Sequence, residues 1–278
     1  MKVVLRKEDS STSNLLFIYN VVHSRDQRNS FMLSSLLEIM GKFGKAESAT
    51  RMALSRACKA GILQTNKSEG DVIYVLTSDA LQFIQAWNTN ARFCWKRMEL
   101  RNSPWENNWH LIQGWLSDQA KKGELNSRLL QVGYVQIGSQ TWISPYHLKE
   151  EAQAIQKELD VASKILSVYG ELEIGMESDI FLEETFELRQ LENQYSGFIC
   201  KYQPVLDQLR GTDAIISEEK ALQMLHKLGF SYFQIANADP MLPKKLLPQW
   251  AGDEAASLMK ELRNILENAV WDYLKDFN

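Results

Sequence analysis

The stretch from Lys45 to Gly61, Lys-Ala-Glu-Ser-Ala-Thr-Arg-Met-Ala-Leu-Ser-Arg-Ala-Cys-Lys-Ala-Gly, narrows the possible folds most. At the helical period it separates into two faces of different chemistry. Ala46, Ala49, Ala53, Leu54, Ala57 and Ala60 fall on one side, small enough for close helix packing, while Ser48, Arg51, Ser55, Arg56 and Lys59 fall on the other. Gly61 ends the helix, because glycine reaches the left-handed backbone that a helix C-terminus commonly needs. A helix that buries alanines and turns hydroxyls and cations outward suits a DNA major groove. Taken alone, the same pattern also describes a solvated helix face.

The flanking sequence favours the first reading. Leu15, Leu16, Ile18, Tyr19 and Val22 recur at helical spacing over Ser13 to His23, with Ser13 as the predicted cap. Ser30 is placed to cap a second helix carrying Leu33, Leu36, Leu37 and Met40, and Gly41-Lys42-Phe43-Gly44 turns the chain into the third. Two β-like runs follow, Ile62–Thr65 and Val72–Leu76, around a polar tip in which Lys67 faces Glu69 and Asp71. Three helices and a hairpin predict an N-terminal winged helix-turn-helix. Thr77 is expected to cap a connector helix whose late cations, Arg92, Lys96, Arg97 and Arg101, would touch phosphates or stabilise the helix C-terminal dipole.

Residues 105–176 read β-α-β-β-α-β, the ferredoxin-like split βαβ order. The strands are expected at Trp109–Leu116, Tyr134–Ile137, Thr141–Ile143 and Leu172–Ile174, with helices over Asp118–Gln131 and His147–Tyr169. The four-and-three spacing of Leu148, Ala152, Ile155, Leu159, Ala162, Leu166 and Tyr169 supports the longer helix, as core packing or as a dimer seam. From Ser178 the pattern is helical, interrupted or bent at Pro204, and the prolines at 240, 243 and 248 fix a loop before a last helix over Asp253–Leu274. The fold class is therefore α+β. Its expected domains are a winged helix with connector (1–101), a ferredoxin-like middle (102–177) and a helical C-terminal domain (178–278).

Charge supports this division. Residues 1–100 hold 14 Lys and Arg against 9 Asp and Glu, whereas the remainder hold 17 against 26. A basic head on an acidic body suits a DNA-binding protein better than the net −4 suggests. No apolar run reaches the ~20 residues of a membrane span, and Met1–Arg6 lacks a signal-peptide core, so a cytoplasmic chain without membrane partners is expected. Cys58, Cys94 and Cys200 have no paired spacing and predict neither a disulfide framework nor a metal site. Asp118, near the end of the first strand of the middle unit, is a single carboxylate and reads as a surface or helix-capping residue rather than a metal ligand. His23, His110, His147 and His226 lie on separate elements without a nucleophile motif, and no glycine-rich phosphate loop occurs.

Three segments in order, Glu47–Arg56, Trp105–Ile112 and Asp239–Pro243 through Leu246–Gly252, resemble the phenylacetic acid degradation repressors, the PaaX family. The resemblance spans nearly the whole chain, and the proline-rich third segment is its most specific part. It implies a winged helix, a middle domain similar to a CRISPR-associated nuclease subunit, a helical C-terminal domain, and a homodimeric repressor. It also implies release from operator DNA by an aryl-acetyl coenzyme A thioester, phenylacetyl-CoA or another acyl-CoA. On this reading Lys42, Lys45, Ser48, Arg51, Ser55, Arg56, Lys59 and Lys67 contact double-stranded DNA. Trp109, Trp142 and His226 are candidates for the effector site, in a cleft between the middle and C-terminal domains; no catalytic residue, cofactor or metal is expected. The competing readings are a metal-dependent nuclease, a CoA-ester hydrolase, and a protein-interaction adaptor with a degenerate winged helix.

Overall fold

The computed structural model describes residues 8–68, 71–211 and 216–277; Met1–Arg6 and the hairpin-tip residues Glu69 and Gly70 lie outside the described residues. The chain forms two compact units, neither continuous in sequence. One draws on residues 1–89, 199–232 and 256–278, the other on 90–198 and 233–255.

In the first unit α1 (Ser11–Asp26) is followed by β1 (Ser30–Met32), α2 (Leu33–Lys42), α3 (Glu47–Lys59), β2 (Leu63–Ser68), β3 (Asp71–Leu76) and the start of α4 (Ser78–Arg101). Ser10, not Ser13, caps α1, its hydroxyl accepting from the Ser13 amide at 3.1 Å. Ser30 does not cap α2. It opens β1, whose backbone is engaged with β3 in the register Ser30↔Val75 to Met32↔Ile73. The result is an antiparallel sheet ordered β1-β3-β2. Thr77 caps α4 as expected, accepting from the Ala80 amide at 3.2 Å and donating to the Gly61 carbonyl at 2.6 Å.

The core of this unit centres on Ile18, Tyr19, Val22, Leu36, Ile39, Met40 and Leu54, all essentially inaccessible. Burial of Ser13 at the start of α1 reflects in part what the later chain adds. α8 (Leu188–Leu209), α9 (Glu218–Ala236) and α10 (Ala251–Leu274) each supply part of their length here. Ser13 bonds His226 at 3.0 Å, Arg25 pairs with Glu267 at 3.2 Å, and Arg28 donates to the Phe277 and Leu274 carbonyls.

The second unit holds β4 (Asn108–Gly114), α5 (Gln119–Gln131), β5 (Val135–Gly138), β6 (Thr141–Ser144), α6 (Lys149–Glu158), a 3-10 turn at Ala162–Lys164, β7 (Ile165–Glu171) and α7 (Ser178–Phe186). The sheet order β5-β6-β4-β7, all antiparallel, is ferredoxin-like. α5 and α6 cover one face, with Ile112, Trp142, Leu125, Leu129, Tyr134 and Ile155 in the core.

Two expectations are corrected here. The helix predicted over His147–Tyr169 ends at Glu158, because Asp160 takes a left-handed backbone (φ 53°) and Ile165–Glu171 pairs with the full length of β4. The spacing of Leu159, Ala162, Leu166 and Tyr169 thus crosses a helix end, a turn and a strand. Leu166 and Tyr169 fall on opposite faces of that strand, so these positions do not form one helical seam, and the strand expected at Leu172–Ile174 is displaced to β7. Pro204, in turn, does not interrupt its helix, since α8 continues through it to Leu209.

Candidate nucleic-acid interface

Gly44 (φ 70°) and Gly61 (φ 72°) bracket α3, each in the left-handed backbone that turns the chain sharply at a helix boundary. The buried side of α3 is Thr50, Ala53, Leu54 and Ala57. Ala46 and Ala60 are exposed and Ala49 is half-buried, so the expected alanine stripe is narrower than its spacing suggested. Thr50 joins it because its hydroxyl donates to the Ala46 carbonyl at 3.2 Å, which satisfies the polar group inside the helix turn. Ser48, Arg51, Ser55, Arg56 and Lys59 are all exposed. Between them stands Met52, 54% exposed, which sequence reasoning assigned to neither face. Its signal was its position one residue beyond Arg51 and three before Ser55.

The cations differ in what holds them. Arg51 donates through Nε and Nη2 to Glu47 Oε1 at 3.0 and 2.8 Å, an exposed pair one turn apart. Lys45 donates to the Asp9 carbonyl at 2.9 Å. Lys42 lies 3.6 Å from Glu218 and over the Tyr273 ring. Lys67 is exposed on β2, opposite Val72.

Two of the late cations of α4 serve another purpose. Arg97 and Arg101 are each 1% exposed, which removes both from phosphate contact and from simple dipole capping. Arg101 pairs with both oxygens of Asp253 at 2.7 and 2.8 Å and donates to the Leu247 carbonyl at 2.7 Å and to that of Leu242. Arg97 donates to the carbonyls of Asp239, at 2.9 Å, and Ala236. Asp239 is itself 2% exposed and accepts three bonds, from the Tyr195 hydroxyl and the Trp250 indole at 2.9 Å and the Met241 amide at 2.7 Å. Tyr146 donates to the Met241 carbonyl. The Asp-Pro-Met-Leu-Pro segment is therefore an internal anchor, its buried carboxylate satisfied by convergent donors. A lone aspartate opening an otherwise apolar, proline-bounded run was the sequence signal for it.

Two of the effector candidates, Trp109 and Trp142, lie on opposite faces of one sheet. Trp142 is fully buried on the α5/α6 face of the sheet, its indole donating to Asn126 at 2.8 Å. Trp109 projects from the opposite face, packed on Trp105, Phe181 and Phe186. His226 belongs to the other unit, where it meets Ser13, Phe17 and Phe43. Burial, aided by Lys227 and opposed by Asp9, holds it neutral with a pKa lowered to about 4. His110, bonded to the Tyr134 hydroxyl, is lowered to about 4 by burial and by the neighbouring His147 and Lys149. Asp118 caps α5, accepting from the amides of Ala120 and Lys121 at 2.9 and 3.2 Å. Among the described residues no group of three His, Cys, Asp or Glu is placed to hold a metal ion, and no helix is long and apolar enough to cross a membrane.

These pieces define a class: an α+β chain in which an N-terminal helix-and-hairpin segment and a C-terminal helical segment flank a ferredoxin-like middle. Family models match in that order, the PaaX-like protein over residues 12–80, the PaaX protein central Cas2-like domain over 102–179 and the PaaX-like protein C-terminal domain over 186–276. The chain belongs to the PaaX-like family, a family of transcriptional regulators. Among solved structures it is similar to the uncharacterized protein Rv0674 from Mycobacterium tuberculosis, at 19% identity and a TM-score of 0.58, covering 96% of this chain and 99% of that one. That likeness concerns the fold alone. Comparison with curated proteins gave no match.

Proposed function

We propose that the chain is a DNA-binding transcriptional repressor of phenylacetate degradation, that residues 8–89 include a winged helix with α3 as its recognition helix, and that a dimer binds a two-fold operator. One observation carries this reading: α3 buries Thr50, Ala53, Leu54 and Ala57 while presenting Ser48, Arg51, Met52, Ser55, Arg56 and Lys59 to solvent. Guanidinium groups and hydroxyls can meet guanine edges and phosphates, and an exposed thioether can meet a thymine methyl. Lys67, on the hairpin, would reach the flanking backbone, and Lys45 would do so on leaving the Asp9 carbonyl. Release by phenylacetyl-CoA or another acyl-CoA completes the proposal, and requires unequal affinity of the thioester for the DNA-bound and free conformations.

Fluorescence anisotropy on DNA from upstream of the chain's own gene and its neighbours, with and without phenylacetyl-CoA, tests this. Binding that weakens steeply with salt and is reversed by the thioester is expected. Arg51→Ala should cost about 1–3 kcal/mol of operator affinity. Absence of specific binding to every fragment overturns the repressor reading; binding that phenylacetyl-CoA leaves unchanged overturns that effector.

A further inference from the structure

The exposed side of α3 has an order of its own. At about 100° per residue, Ser48, Met52, Ser55 and Lys59 share one ridge about 60° wide, directly opposite the centre of the buried set Thr50, Ala53, Leu54 and Ala57. Arg51 and Arg56 stand on its two flanks. All of these outward residues are exposed, Met52 to 54%, and Met52 is no part of the core. Among the described residues Ser48, Ser55 and Lys59 have no hydrogen bond or ion pair within the chain, whereas Arg51 is paired with Glu47. A methionine scattered on a surface needs no explanation. This one stands on the most projecting line of the helix, between polar side chains one turn to either side.

The ridge carries two hydroxyls, a thioether and, near its C-terminal end, an ammonium; it holds no amide or guanidinium. Hydroxyls donate to or accept from any base edge and so discriminate little. A thioether has no proton to donate and accepts weakly, so against a polar base edge it displaces water without replacing its hydrogen bonds. The thymine methyl is the apolar group that the major groove offers, and the unbranched methionine side chain adapts to reach it. Met52 lies in the second turn of α3, and the N-terminal part of a recognition helix is the part that approaches base edges. We propose that Met52 is the specificity-determining residue of α3 and reads the methyl group of one thymine in each operator half-site, with Ser48 and Ser55 bonding to the groups on either side of it. The proposal rests on the reading of α3 as the recognition helix and names the base which that helix selects. Discrimination at that position is set by a methyl group and not by a hydrogen-bonding pattern.

Anisotropy titrations of the full chain test it on the upstream fragment that it binds, with each thymine in turn replaced by uracil. Uracil lacks the methyl and keeps every hydrogen-bonding group of thymine. Loss of the contacted methyl should weaken binding about 4-fold per half-site, the equivalent of one buried CH₂. Met52→Ala should bind the thymine and uracil duplexes equally, and Met52→Leu, similar in volume and apolar, should keep most of the difference. The position is exposed, so circular dichroism and the urea midpoint of both variants should match those of the unmodified chain. A scan in which no methyl matters, or one in which Met52→Ala keeps the full difference, overturns the role of Met52 and leaves the repressor reading standing. Absence of specific binding to every fragment overturns both.

Discussion

Gly252 illustrates how one atom can hold a signature segment. A Cβ there would lie 2.7 Å from Trp250 Cδ1 and 3.0 Å from Tyr195 Cε2, the two rings that donate to Asp239. Gly252→Ala should therefore displace Trp250, leave the buried carboxylate short of a donor, and destabilise the protein by about 1–3 kcal/mol. The urea midpoint, together with a shift in tryptophan emission, reads this; an unchanged midpoint would show that the rings have room to move. His226 supplies a pH-dependent counterpart. Its folded pKa of about 4 lies below the ordinary 6.5, so the unfolded chain binds the extra proton first as pH falls. The neutral histidine's contribution is complete above about pH 6.5 and is lost toward pH 4. His226→Gln should shrink the stability lost between pH 7 and pH 5 by about 2 kcal/mol, measured by urea unfolding at both values. An equal loss in both proteins would place the acid sensitivity elsewhere.

At the scale of the element, α3 was the most legible part of the chain, because a two-faced helix leaves a pattern in its own residues. The sequence could not display the Glu47–Arg51 pair as a competitor of DNA. That exposed pair contributes little to stability, yet it occupies the guanidinium that the proposed interface needs. Glu47→Gln should free Arg51 and remove a negative charge from the DNA-facing side, raising operator affinity by about 3- to 10-fold at low salt, with the gain fading as salt rises. An affinity that does not change would mean that Arg51 is not drawn to the DNA. β7 was the least legible element. Its alternation and the helical spacing leading into it overlap in Leu159 to Tyr169, and only the left-handed Asp160 and the pairing with β4, a partner about 55 residues earlier, decide between them. Ser30 was misread for the same reason: a local cap signal lost to a distant strand, β3.

For the whole molecule, local patterns conveyed the order of elements but not their allegiance. The order β-α-β-β-α-β was readable because each strand and helix announces itself within a few residues. Some of the partners of α1 lie more than 190 positions later, His226 for Ser13 and Glu267 for Arg25, and no window of sequence contains both. The same limit hid the role of Arg97 and Arg101, whose partners Asp239 and Asp253 lie beyond residue 230. The consequence is a prediction about where the chain can be cut. A fragment of residues 1–101 keeps α1 to α4 and both hairpin strands but loses the portions of α8, α9 and α10 that complete its unit. The Arg25–Glu267 pair and the Arg28 bonds would vanish, and Ser13 would lose His226. Because a small domain retains only about 5–15 kcal/mol of net stability, that fragment should unfold without a sharp transition or aggregate, although its helices are intact in the full chain. A cooperative urea transition in the fragment, with a midpoint matching the full chain, would show instead that the N-terminal segment folds by itself and that the later helices merely cover it.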